Sequence, residues 1–218
     1  MKGLGVLVAV AVAQVGVAQG MQVYLGWSYT FPTNLEVVQQ GHPNTTVQQA
    51  EFATKSFADP IYYGVRLWWG EARGLRVELE LIHQKLYFES AARNGDILNR
   101  FQVTDGLNLL LFNIAYALDT GPIFPIARLG AGLVIPHPET IVRGKEFGID
   151  GDPLYYHFGG FGFQTAVEGQ VRWPGVGITG SVEAKYTWAA TRFQIADGFS
   201  YGEFSTLHAV FGGGYSLR

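Results

Sequence analysis

The stretch Met21–Phe31 reads MQVYLGWSYTF. Met21, Val23, Leu25, Trp27, Tyr29 and Phe31 are apolar, Gln22, Gly26, Ser28 and Thr30 are small or polar, and only Tyr24 blurs the alternation. Side chains of a strand point to opposite faces with a period of two, so this segment has one apolar and one polar face. Its length matches the roughly 9–11 residues that a tilted strand needs to cross a bilayer's hydrocarbon. Many half-buried strands look the same, so the rest of the chain has to decide.

The pattern recurs along the whole sequence. Ile61–Trp69 sets Ile61, Tyr63, Val65, Leu67 and Trp69 against Tyr62, Gly64, Arg66 and Trp68. Leu75–Phe88 sets Leu75, Val77, Leu79 and Leu81 against Arg76, Glu78 and Glu80. Phe101–Ala117 is the longest run; its phase blurs after Leu111, which predicts a bulge near Asn113. Ile126–Ile135, Phe158–Trp173, Ile178–Ala190 and Phe204–Leu217 alternate in turn. The connections at Pro32–Pro60, Glu89–Arg100, Pro136–Tyr156 and Thr191–Glu203 are long and polar; those at Gly70–Gly74, Leu118–Phe124 and Pro174–Val176 are tight. Eight strands with long and short connections in strict turn predict an all-β, eight-stranded antiparallel up-and-down transmembrane β-barrel. Four long loops lie outside and the short turns lie in the periplasm. The first strand should close the barrel against Phe204–Leu217.

Composition agrees. Of the 218 residues, 48% are hydrophobic and only 15% charged, against about 25% charged in soluble proteins. The absence of cysteine excludes disulfides and thiolate metal sites. A formal charge of −3 argues against a nucleic-acid surface. Lys2, the apolar run Leu4–Ala13 and the small residues Gly16-Val17-Ala18 form a signal peptide at 1–18, leaving a barrel domain at 19–218. The chain is expected in a bacterial outer membrane with both termini periplasmic. Outer-membrane lipid and the barrel-assembly machinery are its expected partners, and it is expected to be a monomer. Leu217 stands in for the terminal aromatic usual in assembly signals.

A soluble ligand-binding barrel would turn the same apolar face inward. The aromatics argue otherwise. Trp69, Trp173 and Tyr215 fall near the short turns, and Tyr29, Phe31, Tyr63, Tyr87, Tyr186 and Trp188 near the long loops. Val65, Val77, Leu79, Leu109, Leu129, Val167 and Val182 lie between. Two aromatic girdles around an aliphatic band describe a lipid-facing exterior. The opposite face carries Arg66, Arg76, Glu78, Glu80, Arg128, Glu168, Glu183 and Lys185, a balanced set expected to neutralise itself inside a narrow lumen. Gly64, Gly130, Gly132, Gly212 and Gly214 would make room for it. Because an eight-stranded barrel is only wide enough for its own side chains, the lumen should be plugged.

Polar residues also gather near the loop ends: Glu80, His83 and Lys85; Thr104, Asp105 and Asn108; His137 and Glu139; and His208. Two or three histidines with carboxylates suit a divalent metal, so His83, His137, Glu139 and His208 are candidate ligands, with a polar interfacial rim as the plainer alternative. Asp150-Gly151-Asp152 is too short for an EF-hand and is read as a solvated turn.

The segments YYGVRLWW, ELELIHQK, FQVTDGLNLLLFN, ARLGAGLVIPHPE and TLHAVFGGGY resemble small outer-membrane barrels described as lipid A oxidase-like, and more loosely OmpA-like barrels. The resemblance implies that Glu80, His83, Lys85, Thr104, Asn108, His137, Glu139 and His208 are the family's polar motif residues. Asp105 stands where that family is expected to carry His. Three functions follow as expectations. The first is a non-enzymatic, envelope-stabilising barrel that needs no cofactor. The second is a metal-assisted enzyme acting on outer-leaflet lipid through Glu80, His83, Asp105, His137 and His208. The third is a narrow ion pore.

Overall fold

The computed structural model describes residues 19–71, 73–89, 96–149, 155–173 and 175–216. The expected signal peptide, the Asp150-Gly151-Asp152 turn and Leu217 lie outside these. The strands are β1 (Gly20–Thr30), β2 (Thr33–Gln39), β3 (Thr45–Ala50), β4 (Phe52–Ala53), β5 (Tyr63–Gly70), β6 (Gly74–Phe88) and β7 (Leu98–Ala117). After them come β8 (Ile123–Pro136), β9 (Glu139–Val142), β10 (Lys145–Phe147), β11 (Gly160–Arg172), β12 (Ile178–Ile195) and β13 (Gly198–Ser216). Eight of them close a ring in the order β1, β5, β6, β7, β8, β11, β12, β13, each antiparallel to its neighbours. Closure is made by β1 against β13, in register from Gly20↔Ser216 to Thr30↔Thr206. Such a ring leaves no strand edge inside a bilayer.

Side-chain direction follows the alternation. Met21, Val23, Leu25, Trp27 and Tyr29 point out, as do Leu129, Val167 and Val182, which are 63–67% exposed. Gln22, Tyr24, Ser28 and Thr30 point in and are buried. Tyr24 therefore keeps the alternation: it is an aromatic at a lumen position. Gly64 makes room for it, since a Cβ there would lie 2.0 Å from the Tyr24 ring.

Three expectations are corrected. First, β7 pairs with β6 and β8 without interruption through Asn113. The irregularity lies higher, where Gln84 faces Leu107 and Leu86 faces Val103. Three residues of β7, 104–106, stand against Lys85 alone, with Gly106 at φ 103° to make the bend. Two extra residues preserve the phase, so Val103 and Leu107 both point inward. Second, Leu109 is not on the lipid face; it is buried in the interior, on the same side of β7 as Leu111 and Asn113. Third, the segments read as long loops carry much strand. The 191–203 segment is a hairpin that continues β12 and β13 above the ring, turning at Ala196-Asp197 with Asp197 at φ 58°. Within the Pro32–Pro60 segment, β2 joins β13 and carries β3, while β4 pairs with β6. Within the third loop, β9 joins β7 and carries β10. Pairing of β1 with β5 stops at Leu25↔Tyr63. Above it, residues 54–56 line the upper part of β1: the Thr54 hydroxyl donates to the Ser28 carbonyl at 2.6 Å, and the Ser28 N–H donates to the Ser56 hydroxyl at 3.1 Å.

The interior changes character with height. At the end of the short turns Ala115, Ala117, Phe124 and Ile126 form a small apolar cluster. The middle is charged. Above it lies the main apolar core, which includes Leu35, Phe52, Ile82, Leu86, Leu109, Val134 and Ile195. Four rings, those of Phe52, Phe101, Phe193 and Phe204, close a cycle with neighbouring centroids 5.1–6.1 Å apart, in edge-on geometry.

Candidate functional site

The strands bring Arg66 (β5), Arg76, Glu78 and Glu80 (β6), Arg128 (β8), Glu168 (β11), and Glu183 and Lys185 (β12) to one level of the lumen, all buried. Four cations face four carboxylates. The Arg66 guanidinium is the hub: it reaches Glu80 at 2.7 Å, Glu183 at 3.0 Å, Glu168 at 3.1 Å and Glu78 at 3.5 Å. Arg128 lies 2.7 Å from Glu183 and 2.8 Å from Glu168, and also bonds Glu78. Lys185 Nζ bridges Glu80 at 2.6 Å and Glu183 at 3.0 Å. Arg76 donates to Glu78 at 2.9 Å and lies over the Trp68 ring. Charges this deep are tolerated only when paired and hydrogen-bonded.

Neutral partners complete the set. Gln22 accepts from Arg66 at 2.6 Å and donates to Glu168 at 2.9 Å. Asn113 donates to Glu80 at 2.8 Å, and Lys185 to the Tyr24 hydroxyl at 2.9 Å. Gln164 bonds both Glu80 and Asn113. Phase places Gln164 on the lumen face, although the sequence does not assign it to the charge network; Tyr24 has the wrong polarity for that face, and Asn113 is masked by the expected bulge.

The loop-end residues do not form one site. Glu80 belongs to the ionic cluster, where Arg66 and Lys185 occupy its carboxylate. His208 points inward above that cluster and is fully enclosed; one ring nitrogen shares a hydrogen bond with the Tyr62 hydroxyl at 3.0 Å and the other with the Thr187 hydroxyl at 2.9 Å. His83 is on the opposite face of the wall, stacked on Tyr63 with centroids 4.8 Å apart and bonded to Asn108 at 3.0 Å. The expected ligand set His83, His137, Glu139 and His208 is therefore split, because His83 and His208 have opposite phase on their strands. Lys85 donates to the Ala58 carbonyl at 2.7 Å.

One group does converge. Ligand-capable atoms of Asp105, His137 and Glu139 all lie within 4.8 Å of one another. The β7 bulge presents Asp105, and β9 sets Glu139 opposite Gln102 on the outward side of the wall. His137 Nδ1 is 3.4 Å from Asp105, and its ring packs 4.6 Å from that of Tyr156. Arg100 donates to Glu139 at 2.6 Å, and the Thr104 hydroxyl bonds the same carboxylate. Partial burial pushes the Glu139 carboxyl above its ordinary pKa; Asp105 adds to this and Arg100 opposes it. One imidazole and two carboxylates are a donor set that a divalent ion accepts.

No family model matches the chain, and no curated protein does. Solved structures do. The outer-membrane protein AlkL in lipid bilayers aligns with a TM-score of 0.50 and 12% identity, over 94% of this chain and 93% of that one. OprG from Pseudomonas aeruginosa gives 0.45 and 11% identity, over 92% and 98%. The Neisserial surface protein NspA gives 0.43 and 10%, over 90% and 96%. At such identities the likeness speaks for the fold alone: the chain has the antiparallel eight-stranded barrel of small outer-membrane proteins.

Proposed function

We propose that the chain is a monomeric integral outer-membrane barrel, both termini periplasmic, whose plugged lumen makes it an envelope-stabilising element rather than a pore. The observation that carries this reading is the ionic cluster. Four cations and four carboxylates from five strands fill the lumen at mid-height with side-chain exposures of 0–2%. An eight-stranded barrel has no spare cross-section. In planar bilayers the folded protein should give no steady conductance step, whereas a heat-denatured control should not insert. Reproducible unitary currents would favour the narrow pore instead.

A second reading concerns the outer wall. A divalent ion held by Asp105, His137 and Glu139 would tie β9 and the third loop to β7, relieving the juxtaposed carboxylates. It favours a bracing metal over lipid chemistry, since Glu80 and His208 are enclosed in the lumen. Manganese should raise the melting temperature at pH 7 and do so less at acid pH, because protons compete with the metal for its ligands and partial burial raises the Glu139 pKa. The Glu139→Gln variant should show no manganese response at either pH; an unchanged response would remove the site.

A further inference from the structure

Above the aromatic girdle, the outward faces of β13, β2 and β3, paired in one sheet, line an open hollow of about 440 Å³. Its place is set by the strands. Going up the outer face of β13, Phe211, Ala209 and Leu207 give way to Ser205, Glu203 and Tyr201. Ser205 pairs with Trp188, which lies 5.6 Å from the outward-facing Phe163 ring. The Tyr186 hydroxyl shares a hydrogen bond with Ser205 Oγ at 2.9 Å. The hollow therefore starts where acyl chains end, at the level where Trp and Tyr mark a membrane–water interface.

Its walls are fixed. Phe31 N–H donates to the Ser205 carbonyl at 2.9 Å and the Thr33 hydroxyl to the Glu203 carbonyl at 2.6 Å, fastening the entry to β2 against β13. The Tyr201 hydroxyl donates to Glu203 Oε1 at 3.2 Å and orients that carboxylate. Glu36 lines the opposite side. Neither Glu36 nor Glu203 is in an ion pair among the described residues, and no basic side chain lines the hollow. Arg192, the cross-strand neighbour of Tyr201, lays its guanidinium over the Phe199 ring instead, 3.7 Å from the centroid.

We propose that this hollow seats the uncharged or amine-bearing sugar headgroup of an outer-leaflet glycolipid. The Trp188 indole in the lining offers apolar surface for the C–H side of a sugar ring. Two carboxylates and four hydroxyl residues offer acceptors for ring hydroxyls or an ammonium. Unpaired negative charge repels a phosphate headgroup. The acyl chains of the same molecule would lie on the band below, along Leu207 and Phe211.

The inference rests on the outer-membrane reading, and its test separates the two. The protein is folded into phosphatidylcholine vesicles containing chain-spin-labelled lipid, and the motionally restricted fraction is measured by electron spin resonance. Labelled diglycosyl diacylglycerol should associate about fivefold better than labelled phosphatidylcholine, and labelled phosphatidylglycerol no better than phosphatidylcholine. Trp188→Ala and Glu203→Ala variants, checked for heat-modifiable migration, should lose the glycolipid preference. Equal restriction of all three lipids by the wild type would overturn the proposal, as would a preference that survives both substitutions. Displacement of the labelled glycolipid by micromolar free disaccharide would overturn the membrane source and assign the hollow to a soluble sugar. A protein that fails to insert at all would sink the outer-membrane reading itself.

Discussion

Along β6 the inward side chains run Arg76, Glu78, Glu80, Ile82, Gln84, Leu86, while the outward ones run Leu75, Val77, Leu79, Leu81, His83, Lys85. Polarity exchanges faces halfway up a single strand. The same happens on β7, where inward Asn113 gives way to Leu111, Leu109 and Leu107, and on β12, where Glu183 and Lys185 give way to Ala189 and Phe193. On the outer-membrane reading, the outside of the lower region meets hydrocarbon and the charges are within. The upper region is built like a soluble domain, with a buried phenylalanine cycle and exposed Glu36, Tyr201 and Glu203. The backbone hydrogen bonds are common to both. What changes is the solvent outside, and with it the force that can order the inside. Above the membrane, apolar burial out of water supplies it. Within the bilayer that force is absent, because lipid tails are as apolar as leucine. There the interior is ordered by ion pairs and hydrogen bonds that only one arrangement satisfies.

If the contrast is right, the two regions break differently. The largest effect should come from Arg66→Met. It strips one cation from a set that holds four carboxylates, and a single missing partner leaves buried charge uncompensated, at a cost of about 3–5 kcal/mol. Unfolding in detergent micelles by guanidinium, followed by tryptophan fluorescence, would measure it. Removing a pair together, Glu80→Leu with Lys185→Met, should cost less than Arg66→Met despite touching more atoms. Equal or greater loss for the pair would mean that apolar packing holds the lower interior too.

Phe193→Ala addresses the upper region, where the ring sits at 0% exposure between Phe101 and Phe204. Deleting a buried ring costs about 3–5 kcal/mol at most, and loosening of the hairpin should absorb part of it. The loss should appear as protease cleavage in the β12–β13 hairpin of inserted protein, with heat-modifiable migration of the barrel retained. Leu79→Arg is next. A cation at mid-bilayer on the lipid face costs about 2–4 kcal/mol, so folding into vesicles should fall steeply. Thr46→Arg, outward in the upper region, should fold within about 0.5 kcal/mol of wild type. Similar behaviour of the two arginine variants would mean that the hydrocarbon boundary is misplaced.

How far this was legible in the sequence follows from the same contrast. In the lower region alternation has a single meaning, so Met21–Phe31, the ring order and the β1–β13 closure could be read from period and turn length. In the upper region the strands lose that contrast: Leu107, Leu109, Leu110 and Leu111 are apolar on both faces, and phase is lost where both sides of the wall are covered. That is why Leu109 reads as lipid-facing from the sequence alone. The supposed bulge at Asn113 was the same error, an attempt to restore alternation where the true three-for-one bulge around Gly106 left it unchanged. The hairpin at 191–203 looked like a loop because its outward residues, Arg192, Gln194, Tyr201 and Glu203, suit water. The split of the histidines is also a matter of phase: His83 is at an odd position on β6, where even positions face the lumen, and His208 is at an even position on β13, where even positions face it too.

The closest balance of opposing terms should come at the level where the regions meet. Gln84 Nε2 donates to the Thr30 and Thr206 hydroxyls at 2.9 and 3.0 Å, and those hydroxyls are also 3.0 Å from each other. Its Oε1 is buried with no hydrogen-bond partner among the described residues. Gln84→Leu removes two donated bonds, leaves the threonines bonded to each other and removes the unsatisfied oxygen. Net hydrogen bonds contribute about 0.5–1.5 kcal/mol each, and an orphaned acceptor costs a similar amount, so the balance should fall within about 1 kcal/mol of zero. A guanidinium transition unmoved within that range would put the boundary below Gln84, with leucine extending the upper core by one layer. A loss like that of Arg66→Met would instead extend the polar network up to Thr30 and Thr206, and the exchange of faces along β6 would begin at Leu86 rather than at Ile82.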